Sequence, residues 1–344
     1  MMIHATTEVD DPAWVEFGAH HAEATAFHQP SWISVLREAY AYRALAVVVT
    51  DDAGKVCAGA PVLEIRSRLT GNRGSSLPFS DICPPLATDR ASLEALTAGL
   101  EALRAERGWQ RVDVQGPLPP RPGVQPGRES LRHETPLATD PAGVISTFRS
   151  STRRLTRQAE ASGLSVRLSR SPDEIDRFYE LHLETRRRLG VPVQPRRFFR
   201  LLAHRMLPND HGFLLFAEKG QRPVAGAFFL TWKNQVVYKY GASNADYWEL
   251  RPNNLLFTSA ITWACENGYE TFDWGRTGID DEGLRRFKSG FGATEHPVRY
   301  SVVSPVPRQP GGPQRGEALL GHVIRRSPKT VGRVLGELLY RHVG

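Results

Sequence analysis

The sequence predicts an α+β (mixed α/β) chain built as two tandem domains of like topology, each a mixed twisted sheet flanked by helices. Three observations predict it. The 344 residues are long for one compact core and suit two domains of roughly 150 residues each. The order strand–strand–strand–helix–strand reads twice along the chain. Stretches rich in proline and glycine separate the copies from each other and from the C-terminal end, where irregular connectors belong.

The first copy runs from Ala46 as AVVVTDDAGKVCAGAPVL and the second from Leu214 as LLFAEKGQRPVAGAFFL. Each is a β-rich run, a polar turn and a strand containing Gly-Ala, which is a hairpin pattern. Asp51, Asp52 and Gly54 supply the first turn, and Lys219, Gly220 and Gln221 the second. After Pro84 and Pro85, Leu93, Leu96, Leu100 and Leu103 recur at helical spacing. After Pro252, Leu256, Ser259, Ala260 and Trp263 do the same. Gly108 and Gly268 end these helices, as left-handed C-terminal residues do. GWQRVDVQG and GYETFDWG then supply a short buried strand each, with Asp113 and Asp273 at matching positions. That recurrence favours a structural role for the two aspartates over a catalytic one.

Two connectors divide the chain: PLPPRPGVQPGRES from Pro117 and SPVPRQPGGPQRG from Ser304. The expected division is residues 1–135, 136–303 and a basic amphipathic tail over 304–344. In the second domain SPDEIDRFYELHLETRRRLG has Ser171 as N-cap, Pro172 at N1 and Glu174 at the capping-box position, with Gly190 as the stop. Glu184 and Arg188 stand one turn apart on that helix, which favours an i,i+4 ion pair.

Composition narrows the function classes. No run of about 18 apolar residues occurs, so no segment reads as a membrane span, and the first residues lack the order of a signal peptide. Cys57, Cys83 and Cys265 are scattered, without metal-ligand spacing. These features point to a cytoplasmic protein with no resident metal. The formal charge of +7 is concentrated in arginine clusters: Arg149, Arg153, Arg154 and Arg157; Arg186 to Arg188; and Arg325, Arg326, Lys329 and Arg333. Such clusters suit polyanions such as CoA, tRNA or anionic lipid, or serve as a solvated surface. No helix-turn-helix or zinc module appears, so DNA reading is not expected. P-loop, Gly-x-Gly-x-x-Gly and Gly-x-Ser-x-Gly patterns are absent, which argues against nucleotide hydrolysis, dinucleotide chemistry and a serine nucleophile.

The string FYELHLETRRRLGVP, then VAGAFFL, VYKYGASN, GYETFDWGRTG and finally Phe287-Lys288-x-Gly290-Phe291-Gly292 resembles the Fem-like family of GNAT-fold transferases, relatives of the peptidoglycan-bridge aminoacyltransferases. The resemblance covers roughly residues 25 to 300 and is more specific in the second half. It implies two tandem GNAT-like domains and transfer of an acyl or aminoacyl group to an amine by direct attack, without a covalent enzyme intermediate. The donor would be a co-substrate, acyl-CoA or aminoacyl-tRNA, with no permanently bound cofactor. The acceptor would be an amine of the cell envelope, in peptidoglycan or exopolysaccharide synthesis. GVPVQPRRFF does not reproduce the family's Arg-x-x-x-Tyr acceptor contact.

Acyl transfer needs a place for the amine proton and donors for a tetrahedral oxyanion. Asp81 is the candidate proton acceptor and Lys288 the candidate oxyanion partner, each weighed against an ordinary solvated residue. Tyr238 and Tyr240 alternate with Lys239, which puts both phenols on one face of a strand, to line the acceptor cleft or pack in the core. Arg188, Arg276 and Phe291 complete the candidate substrate contacts. Arg251, Asn253 and Asn254 open a helix whose N-terminus suits a donor phosphate, although the glycines of an acetyl-CoA loop are missing. Two alternatives remain open: a CoA-dependent N-acyltransferase of polysaccharide or lipid modification, and a non-catalytic scaffold held peripherally on the inner face of the cell membrane by the tail HVIRRSPKTVGRVLGELLYRHVG.

Overall fold

The computed structural model describes residues 2–306 and 315–343. Two compact units emerge: residues 2–129, 298–306 and 338–343 form the first, and residues 130–297 and 315–337 the second.

The first unit contains β1 (Ile3–Glu8), α1 (Pro12–His20), α2 (Pro30–Tyr40), β2 (Arg43–Thr50), β3 (Val56–Ile65), β4 (Arg73–Ser75), β5 (Leu86–Ala87), α3 (Arg90–Glu106), β6 (Val112–Val114) and the start of β7 (Val124–Pro136). The second continues with the rest of β7, α4 (Pro141–Ser146), α5 (Ser150–Ala161), β8 (Leu164–Ser169), α6 (Ile175–Leu189), α7 (Arg196–Met206), β9 (Gly212–Lys219), β10 (Arg222–Trp232), β11 (Gln235–Ser243), α8 (Pro252–Glu266), β12 (Thr271–Thr277), α9 (Glu282–Ser289) and the start of β13 (Thr294–Val303). Helices α10 (Arg315–Arg326) and α11 (Lys329–Val343) follow.

The repeat read in the sequence is present. In the first unit the strands run β1-β2-β3-β4-β6-β13, with β5 paired to β3. The pairs are antiparallel except β4–β6, which is parallel and reached through α3. In the second the order is β7-β12-β11-β10-β9-β8, and the parallel pair is β11–β12, reached through α8. Each parallel pair needs a long crossover, and the helix supplies it.

The cores follow the expected periodicity. Leu96, Leu100 and Leu103 of α3 pack with Leu45, Val47 and Val49 of β2. In the second unit Leu256, Ala260 and Ile261 of α8 pack with Phe213, Ala225 and Phe229 of the sheet. Burying each such leucine or phenylalanine contributes about 1.5–3 kcal/mol. Gly108 and Gly268 have φ of 63° and 76°, the left-handed stops the sequence announces.

Four expectations need correction. The division falls inside β7 and β13 instead of after residues 135 and 303. β7 begins in the first unit and pairs with β12 of the second over Leu131–Pro136, and β13 begins in the second and pairs with β6 of the first over Ser301–Val303. The tail is not a separate segment, because Ile324 is buried, Arg325 donates to the Leu189 carbonyl and Lys329 pairs with Glu184. Part of the connector before it, residues 307–314, lies outside the described residues. The capping box at Ser171 does not form. Ser171 accepts from Asp173 N–H in a 3₁₀ turn, α6 starts at Ile175, and Glu174 binds Arg167 and Arg177 instead. Lastly, the Glu184–Arg188 pair is replaced, since Glu184 takes Lys329 and Arg188 turns elsewhere. Among the described residues no helix is long and apolar enough to cross a membrane.

Candidate functional site

β11 and β12 pair only from Gln235–Val237 to Thr271–Asp273. Beyond that point β11 runs on to Ser243, while β12 keeps its pairing to β7 through a bulge between Asp273 and Arg276. The two strands part, and a cavity of about 330 Å³ opens beside the gap. That volume lies at the lower end for small-molecule sites. Its walls come from β11 (Tyr238, Gly241, Ser243), β12 (Trp274), α6 (Thr185, Leu189), α8 (Asn253, Leu256, Phe257) and α9 (Leu284, Phe287, Lys288).

Parting the strands leaves backbone groups of β11 without a neighbouring strand, and buried backbone groups require partners. Side chains of α6 supply them. Ser243 N–H donates to Thr185 Oγ1 at 3.0 Å, and the Thr185 hydroxyl and Arg188 guanidinium donate to the Ser243 carbonyl at 3.2 and 3.0 Å. Arg188 also lies over the Trp248 ring, 4.4 Å from its centroid.

The two tyrosines are separated by a bulge. Phe228 of β10 pairs with Tyr240 and Phe229 with Tyr238, so Lys239 is the extra residue of β11. One extra residue reverses the alternation of side chains. Tyr238 therefore packs on Phe257 of α8, with ring centroids 4.8 Å apart. Tyr240 packs on Phe199 of α7 and His182 of α6, at 5.1 and 6.0 Å. Only Tyr238 of the pair lines the cavity. Gly241 is required beside it, because a Cβ there would stand 2.0 Å from the Tyr238 hydroxyl.

Lys288 is 1% exposed and sits on α9, not in a solvated loop. Its ammonium donates to Thr277 Oγ1 at 2.7 Å and to the carbonyls of Gly275 and Arg276 at 3.2 and 3.4 Å. Gly275, at φ 66°, makes the β12 bulge that brings these carbonyls to it. Thr277 Oγ1 is also 3.4 Å from His133 Nδ1, and His133 Nε2 is 3.1 Å from Glu295 Oε1. Burial, and then the nearby Lys288 charge, hold His133 below the usual imidazole range. A string of polar groups thus runs from the cavity wall to Glu295, which Arg285 also binds.

The remaining sequence candidates fall as follows. Asp81 belongs to the first unit, half-buried in the loop after β4, where its carbonyl accepts from the Tyr300 hydroxyl. It is not part of the second unit's cavity. Phe291 is 1% exposed and packs among Phe148, Trp274 and Phe287, a core residue instead of a substrate contact. Arg276 lies outside the cavity lining and offers its carbonyl to Lys288. At the start of α8, Arg251 is exposed at φ 57°, Asn254 is buried and Asn253 faces the cavity. No side chain caps that helix. Asp273 and Asp113 take the structural roles read from the repeat: Asp273 binds Arg132 at 2.8 Å, and Asp113 binds Arg111 at 2.9 Å. Thr185, Leu256, Phe257, Trp274 and Phe287, which line the cavity, are not among the site candidates read from the sequence. The available signal was proximity: Trp274 alternates with Phe272 in the FDWG strand, and Phe287 adjoins Lys288.

Residues 146–289 match the family described as Acetyltransferase (GNAT) domain. No curated protein matches the sequence. Among solved structures, FemX aligns over 86% of this chain and 96% of its own, with TM-score 0.67 and 15% identity. A tandem GNAT protein from the clavulanic acid biosynthesis pathway aligns over 90% and 100%, with TM-score 0.56 and 11% identity. L-PGS from Bacillus licheniformis aligns over 93% and 97%, with TM-score 0.54 and 12% identity. At such identities the likeness establishes the fold. Residues 146–289 thus match the GNAT acetyltransferase-domain family, and the chain has the fold of FemX and of the tandem GNAT protein.

Proposed function

We propose that this acyltransferase moves an acyl group from a thioester or ester donor onto an amine at the cavity between β11 and β12. The observation that carries the reading is the parting of these strands beside a buried ammonium, Lys288, and an uncapped helix start at Asn253. The amine nitrogen attacks the donor carbonyl carbon, the C–N bond forms, and the carbonyl oxygen becomes an oxyanion. The positive charge of Lys288, held in a water-poor wall, favours that oxyanion over the neutral ground state. Collapse breaks the bond to the carrier; the Tyr238 hydroxyl is the cavity group suited to protonate the leaving atom and, as the phenolate so formed, to take up the proton that the former amine nitrogen releases. The N-terminus of α8 favours the negative charge of the carrier. Asp81 has no assigned part in these steps.

Fold likeness to FemX and to the C-terminal domain of a putative lysylphosphatidylglycerol synthetase from Agrobacterium fabrum supports an acceptor in the cell envelope. The test is a parallel titration of acyl-CoA and charged tRNA against the protein and its Lys288→Ala variant, followed by transfer to amine acceptors. Saturable binding of one donor with transfer lost in the variant is expected. Indifference to both donors would overturn the reading.

A further inference from the structure

Resting on that reading, we infer that the group accepted by this cavity is an uncharged, apolar acyl chain, and not an aminoacyl group with a free α-ammonium. Six apolar side chains, Leu189, Leu256, Phe257, Trp274, Leu284 and Phe287, make up most of the lining, with Thr185, Tyr238, Ser243 and Asn253 as its neutral polar side chains. Lys288 is the one charged residue among the lining residues described, and no carboxylate accompanies it.

An α-ammonium entering such a site needs acceptors, because a buried cation without partners is strongly disfavoured. The strand ends would be the natural source of carbonyls, yet both already serve cations of the protein. The Gly275 and Arg276 carbonyls take Lys288, and the Ser243 carbonyl takes Arg188 together with the Thr185 hydroxyl. Thr185 Oγ1 accepts in turn from Ser243 N–H. A second cation would therefore meet two like charges at the carbonyls of the strand ends. An acyl carboxylate would gain the attraction of the Lys288 charge, as the oxyanion does, but would carry its full charge into the cavity from the start, at the cost of desolvating it, beside an ammonium already donating to Thr277 and the two carbonyls. What the walls favour is methylene and methyl groups.

The test compares acetyl-, propionyl-, hexanoyl-, glycyl- and succinyl-thioesters of one pantetheine carrier, by competition binding and by transfer to a common amine, with alanyl-tRNA as a sixth donor. Hexanoyl is expected to bind best, with affinity rising about fourfold for each methylene added from acetyl until the cavity is filled. The glycyl ester should bind at least about tenfold more weakly than its apolar counterpart of similar size, propionyl. Leu189, exposed at the end of α6 and lining the cavity, allows a change that spares the fold. Leu189→Asp should narrow the propionyl-to-glycyl ratio by supplying the missing carboxylate. Glycyl or alanyl donors that bind and transfer as well as propionyl would overturn the inference and leave the transferase reading standing. If none of the six donors binds, the transferase reading falls and the inference with it.

Discussion

Lys288 Nζ stands 2.7 Å from Thr277 Oγ1, so a buried ammonium is fixed at the very end of β12. The lysine and its threonine form one unit, since hydrogen bonds to a charged group are worth about 1.5–3 kcal/mol each. Thr277→Val is expected to lower unfolding stability by about 2 kcal/mol, read as a shift of the urea midpoint at constant slope. Lys288→Met should also lower kcat, by about 100- to 1,000-fold. Full turnover in Lys288→Met would remove the ammonium from the chemistry.

The bulge at Lys239 separates the duties of the two tyrosines. Tyr238→Phe is expected to slow single-turnover transfer about 100-fold. Tyr240→Phe, on the opposite face, should leave that rate within about twofold, by ordinary tolerance away from the site. Equal losses in both variants would contradict the assignment of faces.

Gly241 offers a steric check on the same wall. The added Cβ of Gly241→Ala would collide with the Tyr238 hydroxyl, and the ring would have to swing into the cavity. Overpacking of this kind costs about 1–3 kcal/mol. Donor binding should weaken in Gly241→Ala and recover partly in Gly241→Ala with Tyr238→Phe, measured by titration. No recovery would mean that the phenol is not the obstacle.

Acid sensitivity follows from two depressed histidines. Burial pushes His182 down to about 3, from 6.5, and His133 is lowered as well. The unfolded chain takes up the proton near pH 6.5, while the folded His182 stays neutral until about pH 3. The unfolded state binds more protons across that window, so stability falls as pH drops, with a slope approaching about 1.4 kcal/mol per pH unit. Above pH 6.5 the contribution is complete and flat. His182→Asn should lose this part of the slope between pH 6.5 and 5 in denaturant titrations. An unchanged slope would show that His182 charges within the fold.

A partly buried ion pair, whose Arg132 also binds Glu134, anchors β7 to β12. Asp273, with 8% of its side chain exposed, binds Arg132 at 2.8 Å and accepts Gly275 N–H at 2.7 Å across the bulge. Removing one partner strands the other charge, at a cost of about 3–5 kcal/mol. Arg132→Met is expected to lose about that much in denaturant midpoints, and Arg132→Met with Asp273→Asn to regain part of it. Additive losses would argue against a coupled pair.

Local chemistry made much of this architecture readable from the residues. The polar turns at Asp51 and Lys219, the leucine spacing of α3 and the glycine stops at Gly108 and Gly268 are short-range facts of backbone and periodicity. They recur in order, so the duplicated topology follows from them, as does the structural role of Asp113 and Asp273. Lys288 and Tyr238 were also within reach as candidates. What the chain by itself left undecided depends on non-local pairing. The extra residue at Lys239 becomes visible only when β11 is set against β10, and it alone puts Tyr238 and Tyr240 on opposite faces. The division of the chain inside β7 and β13 depends on the pairing of the end of β7 with β12 and of the end of β13 with β6. The core position of Phe291, the partners of Lys288 and the apolar walls around it come from elements far apart in sequence. Tertiary packing decided these, because burial and hydrogen-bond partners are properties of neighbours in space, which one-dimensional spacing does not encode.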